Sequence, residues 1–263
     1  MPKFAANLTT LFNEVTLPER FTAAAKAGFE AVEVLFPYEH EPAALAEILQ
    51  SNNLNMALIN LPPGDWAKGE RGISALPGRE TEFLESIAVG LEYATAFDCR
   101  SVHVMAGIVE GGLTNTKAVD TYMANLSHAA EVFSAKGIAV TIEPLNVRAA
   151  PGYLISQQSE ARDIIQRVGH PNLGLQFDFY HVQIMEGDLA TRLREFMPII
   201  RHIQIAGVPE RHEPDTGEVN YPYLFALLDE LGYDGYVGAE YHPRSTTEAG
   251  LGWFRSATAQ GSV

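Results

Sequence analysis

The sequence predicts a (β/α)₈ barrel, a single α/β domain running over residues 1–263. Eight short, apolar, β-rich runs alternate with longer segments of helical spacing, the pattern of parallel strands joined by right-handed crossovers. The breakers Gly28, Gly137, Gly169 and Gly232 stand where helices should stop. The stretch after the first run, Asn7-Leu8-Thr9-Thr10-Leu11-Phe12, holds no glycine. That argues against a doubly wound open sheet, which carries a Gly-rich phosphate loop there.

In chain order, strand one is Phe4–Asn7, followed by a helix at Leu17–Ala27 that Gly28 ends. Strand two, Ala31–Leu35, leads to a helix at Pro42–Ser51, and strand three is Asn55–Asn60. A long stretch, Leu61–Gly78, separates it from a helix at Arg79–Phe97. Strand four, Ser101–Met105, precedes a helix at Thr116–Lys136, and strand five, Ala139–Ile142, one at Ser156–Val168. Strand six is Leu173–Phe177, then a helix at Asp188–Phe196, then strand seven at His202–Ile205. A second long stretch, Ala206–Asn220, comes before the helix Tyr221–Leu231 and strand eight, Gly235–Ala239. Both long stretches are rich in Gly, Pro and charge, and loops of that length in a compact domain are usually functional or disordered. Trp66 in the first argues against disorder.

A chain of this length buries enough surface to fold without disulfides, and its 46% hydrophobic and 19% charged residues are ordinary for a soluble domain. Cys99 is alone, which fits a reducing compartment. No apolar run approaches the roughly 18 residues of a membrane span, and the N-terminus lacks a secretory pattern, so the expectation is a cytoplasmic protein without membrane contact. A net charge of −15 argues against nucleic acid as partner, because neutralising phosphates takes clustered Lys and Arg. A small anionic substrate remains compatible, since one or two local cations suffice to hold it. Whether the chain forms a homo-oligomer is left open.

In a barrel of this kind the active site sits at the C-terminal ends of the strands, so a polar residue closing an apolar strand is the signal. Strand five ends on Glu143-Pro144, strand six on Asp178 and strand eight on Glu240, while strand seven carries Gln204. Each alone could be a turn former or a helix N-cap. Together, three carboxylates at one rim would repel each other without a cation. Four oxygen donors suit Mg²⁺ or Mn²⁺. His181 follows Asp178 by three residues and is expected in the same mouth. His103, inside strand four, is as readily a packed histidine as a ligand-binding one. His40, His128, His170, His202, His212 and His242 are taken as structural or solvent-facing, and Cys99 falls at the opposite end of the barrel.

These residues carry a resemblance. The chain is similar to the hydroxypyruvate isomerase family, within the xylose-isomerase-like barrels that also include ketose 3-epimerases, inosose dehydratase and endonuclease IV. The likeness runs over nearly the whole chain. It includes Phe4-Ala5-Ala6-Asn7-Leu8, Phe36-Pro37-Tyr38, Asn60-Leu61-Pro62, Gly64-Asp65-Trp66, Ile142-Glu143-Pro144, Gln176-Phe177-Asp178 and Tyr180-His181. It continues through His202-Ile203-Gln204, Pro214-Asp215-Thr216-Gly217-Glu218 and Gly238-Ala239-Glu240-Tyr241. It implies Glu143, Asp178, Gln204 and Glu240 as metal ligands, with Glu143 and Glu240 doubling as the acid/base pair. The wider superfamily often has His where this chain has Gln204, which points to the hydroxypyruvate isomerase branch and to a weaker, harder metal site.

The implied reaction interconverts hydroxypyruvate and tartronate semialdehyde through an enediol. It needs a base beside the carbon-bound proton and stabilisation of the developing oxyanion. Arg71 and Arg211, one in each long loop, are candidates to hold the substrate carboxylate, and His181 to polarise a substrate oxygen. Trp66, with Arg71 and the glycines Gly64, Gly69 and Gly72, suggests a lid that excludes water. The alternatives are a 2-oxo-tetronate isomerase, a ketose 3-epimerase of the same superfamily, an abasic-site nuclease and a non-catalytic binding barrel. The nuclease reading fits poorly with the acidic balance and with Gln204.

Overall fold

The computed structural model describes residues 1–259. Its strands are β1 (Lys3–Asn7), β2 (Ala31–Val34), β3 (Asn55–Asn60), β4 (Ser101–His103), β5 (Ala139–Ile142), β6 (Leu173–Asp178), β7 (Ile200–Ile205) and β8 (Tyr236–Ala239). They pair in sequence order, all parallel, and β1 pairs with β8 from Lys3↔Tyr236 to Ala6↔Ala239, so the barrel closes. Around it lie α1 (Leu17–Ala27), α2 (Pro42–Ser51), α3 (Glu80–Ala96), α4 (Thr116–Ser134), α5 (Gln158–Val168), α6 (Phe179–Met185), α7 (Leu189–Phe196), α8 (Tyr221–Glu230), α9 (Thr247–Gly250) and α10 (Gly252–Ala259).

Local chemistry sets these boundaries. At the start of α1 the Thr16 amide and hydroxyl both donate to Glu19, a capping box, and Pro18 sits in the first turn. Gly28 then ends the helix in the left-handed region at φ 99°. Three helices lie outside the expectation. One of them, α6, starts directly on the end of β6 with no turn residue between, because Asp178 is both the last strand residue and the helix N-cap. The others, α9 with four residues and α10 with eight, follow β8. Trp253 and Phe254 of α10 pack on Phe4, and Phe254 stacks on Phe29 at 4.1 Å between centroids.

Alternation along the strands divides two environments. Val32, Val34, Val140, Ile142, Leu175, Phe177, Ile203 and Val237 join the apolar core under the helices. The intervening positions point into the barrel and are small or polar: Ala5, Asn7, Ala31, Glu33, His103, Thr141, Glu143, Gln176, Asp178, His202 and Gln204, all buried. A barrel interior is normally filled by bulky branched side chains. Here it is a polar column whose groups must satisfy one another, and it leads up to the C-terminal mouth.

Candidate active site

Glu143, Asp178, Gln204 and Glu240 are buried at the C-terminal ends of β5 to β8. The two oxygens of Asp178 are placed differently. Its Oδ1 accepts the Tyr180 amide at 2.8 Å and caps α6, whereas Oδ2 is buried and without a hydrogen-bond partner. The capping contact therefore leaves Oδ2 available to the site. Glu143, Asp178 and His181 each bring an atom within 4.8 Å of the other two. Arg211 reaches in from the loop after β7, with Nη2 3.2 Å from Glu240 Oε1 and 3.5 Å from Asp178 Oδ2. Its backbone takes φ 59°, a strained region for a long side chain, held by hydrogen bonds from Arg211 N to Gly207 O and from His242 N to Arg211 O.

Electrostatics follow from this crowding. Burial pushes the Glu143 carboxyl well above the ordinary range, and Asp178 and Glu240 push it the same way. Burial raises Asp178 to about 6 and Glu240 to about 7, each against the pull of Arg211. Burial works against the charge on Arg211, but Glu240, Asp178 and Glu143 outweigh it and raise its pKa. One guanidinium thus faces three carboxylates. Glu143 Oε1 and Asp178 Oδ2 are also both buried and unpartnered. A hard divalent cation fits this donor set, since it would complete the charge balance and satisfy both oxygens.

Gln204 is brought to the same rim, but its amide is engaged. Gln176 Nε2 donates to its Oε1 at 2.7 Å, and its own Nε2 donates to Glu33 at 2.9 Å. Glu33 also accepts from Asn7 at 3.1 Å and lies 2.5 Å from His202 Nε2. Gly238 makes room for it, because a Cβ there would run into the Glu33 carboxylate. Within this network Glu33 carries no sequence motif, and His202, read from the sequence as structural or solvent-facing, is its buried partner; His103, open between packed and ligand-binding, and Asn60 lie in the mouth above it. The rule that found Glu143, applied to β1 and β3, finds Asn7 and Asn60. A lone Glu33 inside an apolar strand is a signal of its own. His103 is buried beside Glu143 at 3.8 Å with both ring nitrogens unpartnered, and burial lowers its pKa to about 3, so it is neutral. Cys99 is buried away from the mouth, and burial lifts its thiol to about 12, which leaves it unreactive.

The mouth holds a cavity of about 220 Å³ lined by Glu143, Glu240, His181, Arg211, Arg71 and Trp66 among others. A larger groove of about 350 Å³ on the flank, lined by Tyr221, Phe225 and Trp253, contains none of this cluster. In the Leu61–Gly78 loop, Arg71 stacks over Trp66 at 3.8 Å and donates to Glu70 O at 2.8 Å. Trp66 leans on Phe36 at 5.0 Å yet stays 42% exposed. The three glycines are not equivalent hinges. Gly72 bridges to Ala106, and a Cβ on it would strike the Met105 carbonyl, so it anchors the loop. Ile73, Ser74 and Ala75 are buried behind it, and the exposed tip lies at 65–69.

The xylose isomerase-like TIM barrel model matches residues 21–257. This chain belongs to that family. Two relatives matched over nearly their whole length are named as isomerases. It is 52% identical to a 2-oxo-tetronate isomerase of Cupriavidus necator, over 97% of this chain and 98% of the relative. It is 42% identical to a hydroxypyruvate isomerase of Escherichia coli, over 96% and 98%. A crystal structure from Brucella melitensis, described as an AP endonuclease, family 2, superposes with a TM-score of 0.95 at 51% identity, covering 97% of this chain and 99% of that one. Among the described residues no helix is long and apolar enough to cross a membrane.

Proposed function

We propose that this chain is a hydroxypyruvate isomerase, interconverting hydroxypyruvate and tartronate semialdehyde. The observation that carries the reading is the pair Glu143 and Glu240 facing one small cavity with Arg211 beside them. At about 220 Å³ the cavity is below the roughly 300–1,000 Å³ of pockets for larger ligands. It suits an acid of a few carbons, and the net charge of −15 disfavours a DNA backbone.

One glutamate removes the carbon-bound proton next to the substrate carbonyl, and the same or the opposite one returns a proton to the neighbouring carbon. Arg211, and Arg71 from the loop, face the cavity with positive charge for the substrate carboxylate. His181 polarises a substrate oxygen, and Trp66 limits water at the mouth. Glu143, Asp178 and Glu240 would hold Mg²⁺ or Mn²⁺, with Gln204 joining them by giving up its hydrogen bond from Gln176. When bound, the ion supplies Lewis-acid polarisation of the carbonyl. A cytoplasmic setting agrees with the single thiol of Cys99.

A second reading, 2-oxo-tetronate isomerase, is favoured by the Cupriavidus necator relative. It needs the same proton transfer on a substrate one carbon longer. Incubation in deuterated water tests the shared chemistry. Turnover should place solvent deuterium on the carbon that receives the proton, and turnover without any label in substrate or product would point to a shielded or hydride route.

A further inference from the structure

His181 is buried, and its Nδ1 receives two donors from one residue. The Asn146 backbone amide donates to it at 3.0 Å, and the Asn146 side-chain amide lies 2.7 Å away. The amide orientation is set independently, because Asn146 Oδ1 accepts the backbone amides of Arg148 at 3.1 Å and Ala149 at 2.9 Å. The oxygen is therefore turned to those two amides, and the NH₂ group to the imidazole. A backbone N–H is always a donor, so Nδ1 must present its lone pair. Asn146 itself is fully buried at the start of the loop after β5, three residues past Glu143.

We propose that Asn146 is a positioning residue that locks His181 in the neutral Nε2–H tautomer and aims that N–H into the cavity as a hydrogen-bond donor. This rests on the isomerase reading of the site. Two consequences follow. A neutral imidazole whose Nδ1 is occupied as an acceptor has no lone pair left at Nε2, so His181 is not a metal ligand although it lies among Glu143 and Asp178. It is also no proton acceptor in the exchange, and that task is left to the glutamates. Burial, with Arg211 and His103 nearby, lowers the His181 pKa well below the usual value, in keeping with a neutral ring. Nε2 sits 3.6 Å from Asp178 Oδ2, outside hydrogen-bond reach, so the donor remains free for a substrate oxygen.

The test is ¹⁵N NMR of histidine-labelled full-length protein, with the His181 signals assigned by their loss in His181→Gln. The expected spectrum shows a protonated Nε2 and an unprotonated Nδ1, unchanged when Mg²⁺ is added. A protonated Nδ1, or an Nε2 that loses its proton on Mg²⁺ addition, overturns the proposal. Asn146→Asp keeps the backbone donor but sets a carboxylate acceptor against Nδ1, so the ¹⁵N signals should shift towards partial protonation of Nδ1, with kcat lowered roughly ten- to a hundredfold. If the tautomer moves and kcat stays at the wild-type value, the positioning role is refuted. If the wild-type tautomer is as expected but no hydroxy-carbonyl acid turns over, the clamp stands and the isomerase reading fails.

Discussion

Replacing Arg211 with Met separates the roles of this side chain in stability and in turnover. Its guanidinium lies 3.2 Å from Glu240 and 3.5 Å from Asp178. At the effective dielectric of about 20 suited to such sites, each contact is worth about 5 kcal/mol before desolvation. Removing one partner of a buried ion pair costs about 3–5 kcal/mol when the other charge is trapped. Here the charges have an escape. Asp178 at about 6 and Glu240 at about 7 already titrate near neutrality, and Arg211 is what holds them down. Without it both take up protons, so we expect a loss of only about 1–3 kcal/mol at pH 7. The loss should widen at higher pH, by up to about 1.4 kcal/mol per unit for each group that must ionise. Activity has no such escape, and kcat/KM on hydroxypyruvate should fall roughly 10²–10³-fold. Thermal unfolding at pH 6 and pH 9, with steady-state kinetics, checks both. A variant within about fivefold of wild type in kcat/KM, about 1 kcal/mol of transition-state stabilisation, would refute the substrate role. An equal stability loss at both pH values would refute the protonation argument.

Glu143→Gln and Glu240→Gln keep the side-chain shape and remove the proton acceptor, so each should lower kcat by roughly 10²–10⁴-fold with the unfolding temperature retained; near-normal kinetics in either shows that another group moves the proton. Chelator-treated protein should lose stability as pH rises. The folded-state pKa values of Asp178 and Glu240 lie above their ordinary values, so their contribution is complete below the ordinary carboxylate range and disappears through about 6 and 7. Added Mg²⁺ or Mn²⁺ should recover the loss at pH 8 and do little at pH 5, which a thermal-shift series with and without the ion measures. Arg71→Ala should raise KM for hydroxypyruvate by roughly tenfold or more while leaving thermal stability within about 0.5 kcal/mol, as expected of a surface position; equal damage to both, or none, counts against a lid that binds substrate.

The fold was legible because strand and helix periods alternate cleanly and breakers such as Gly28 and Gly169 mark the helix ends. The rim carboxylates were legible because parallel topology sends every strand's C-terminus to one face, so Glu143, Asp178 and Glu240 had to meet. What a pattern cannot carry is which partner a side chain chooses. Gln204 stands where the pattern puts it, yet its oxygen accepts from Gln176, a contact fixed by the register of β6 against β7. Arg211 was assigned to a rim loop, but only the left-handed backbone at φ 59° turns it inward onto Asp178 and Glu240. The pairing of Glu33 with His202 is not legible in the sequence, because the two meet across the barrel, 169 residues apart. In the Leu61–Gly78 loop, composition counted Gly72 as a flexible point, whereas close packing on Met105 makes it a fixed one.

In the proposed function, the Glu143–Glu240 site isomerises a small hydroxy-carbonyl acid. Side-by-side initial rates on hydroxypyruvate, 2-oxo-tetronates and free ketoses, at fixed Mg²⁺ or Mn²⁺, test it most directly. We expect kcat/KM on hydroxypyruvate far above that on any free ketose, with 2-oxo-tetronate as the one close competitor. Turnover of a free ketose with neither acid consumed would contradict it.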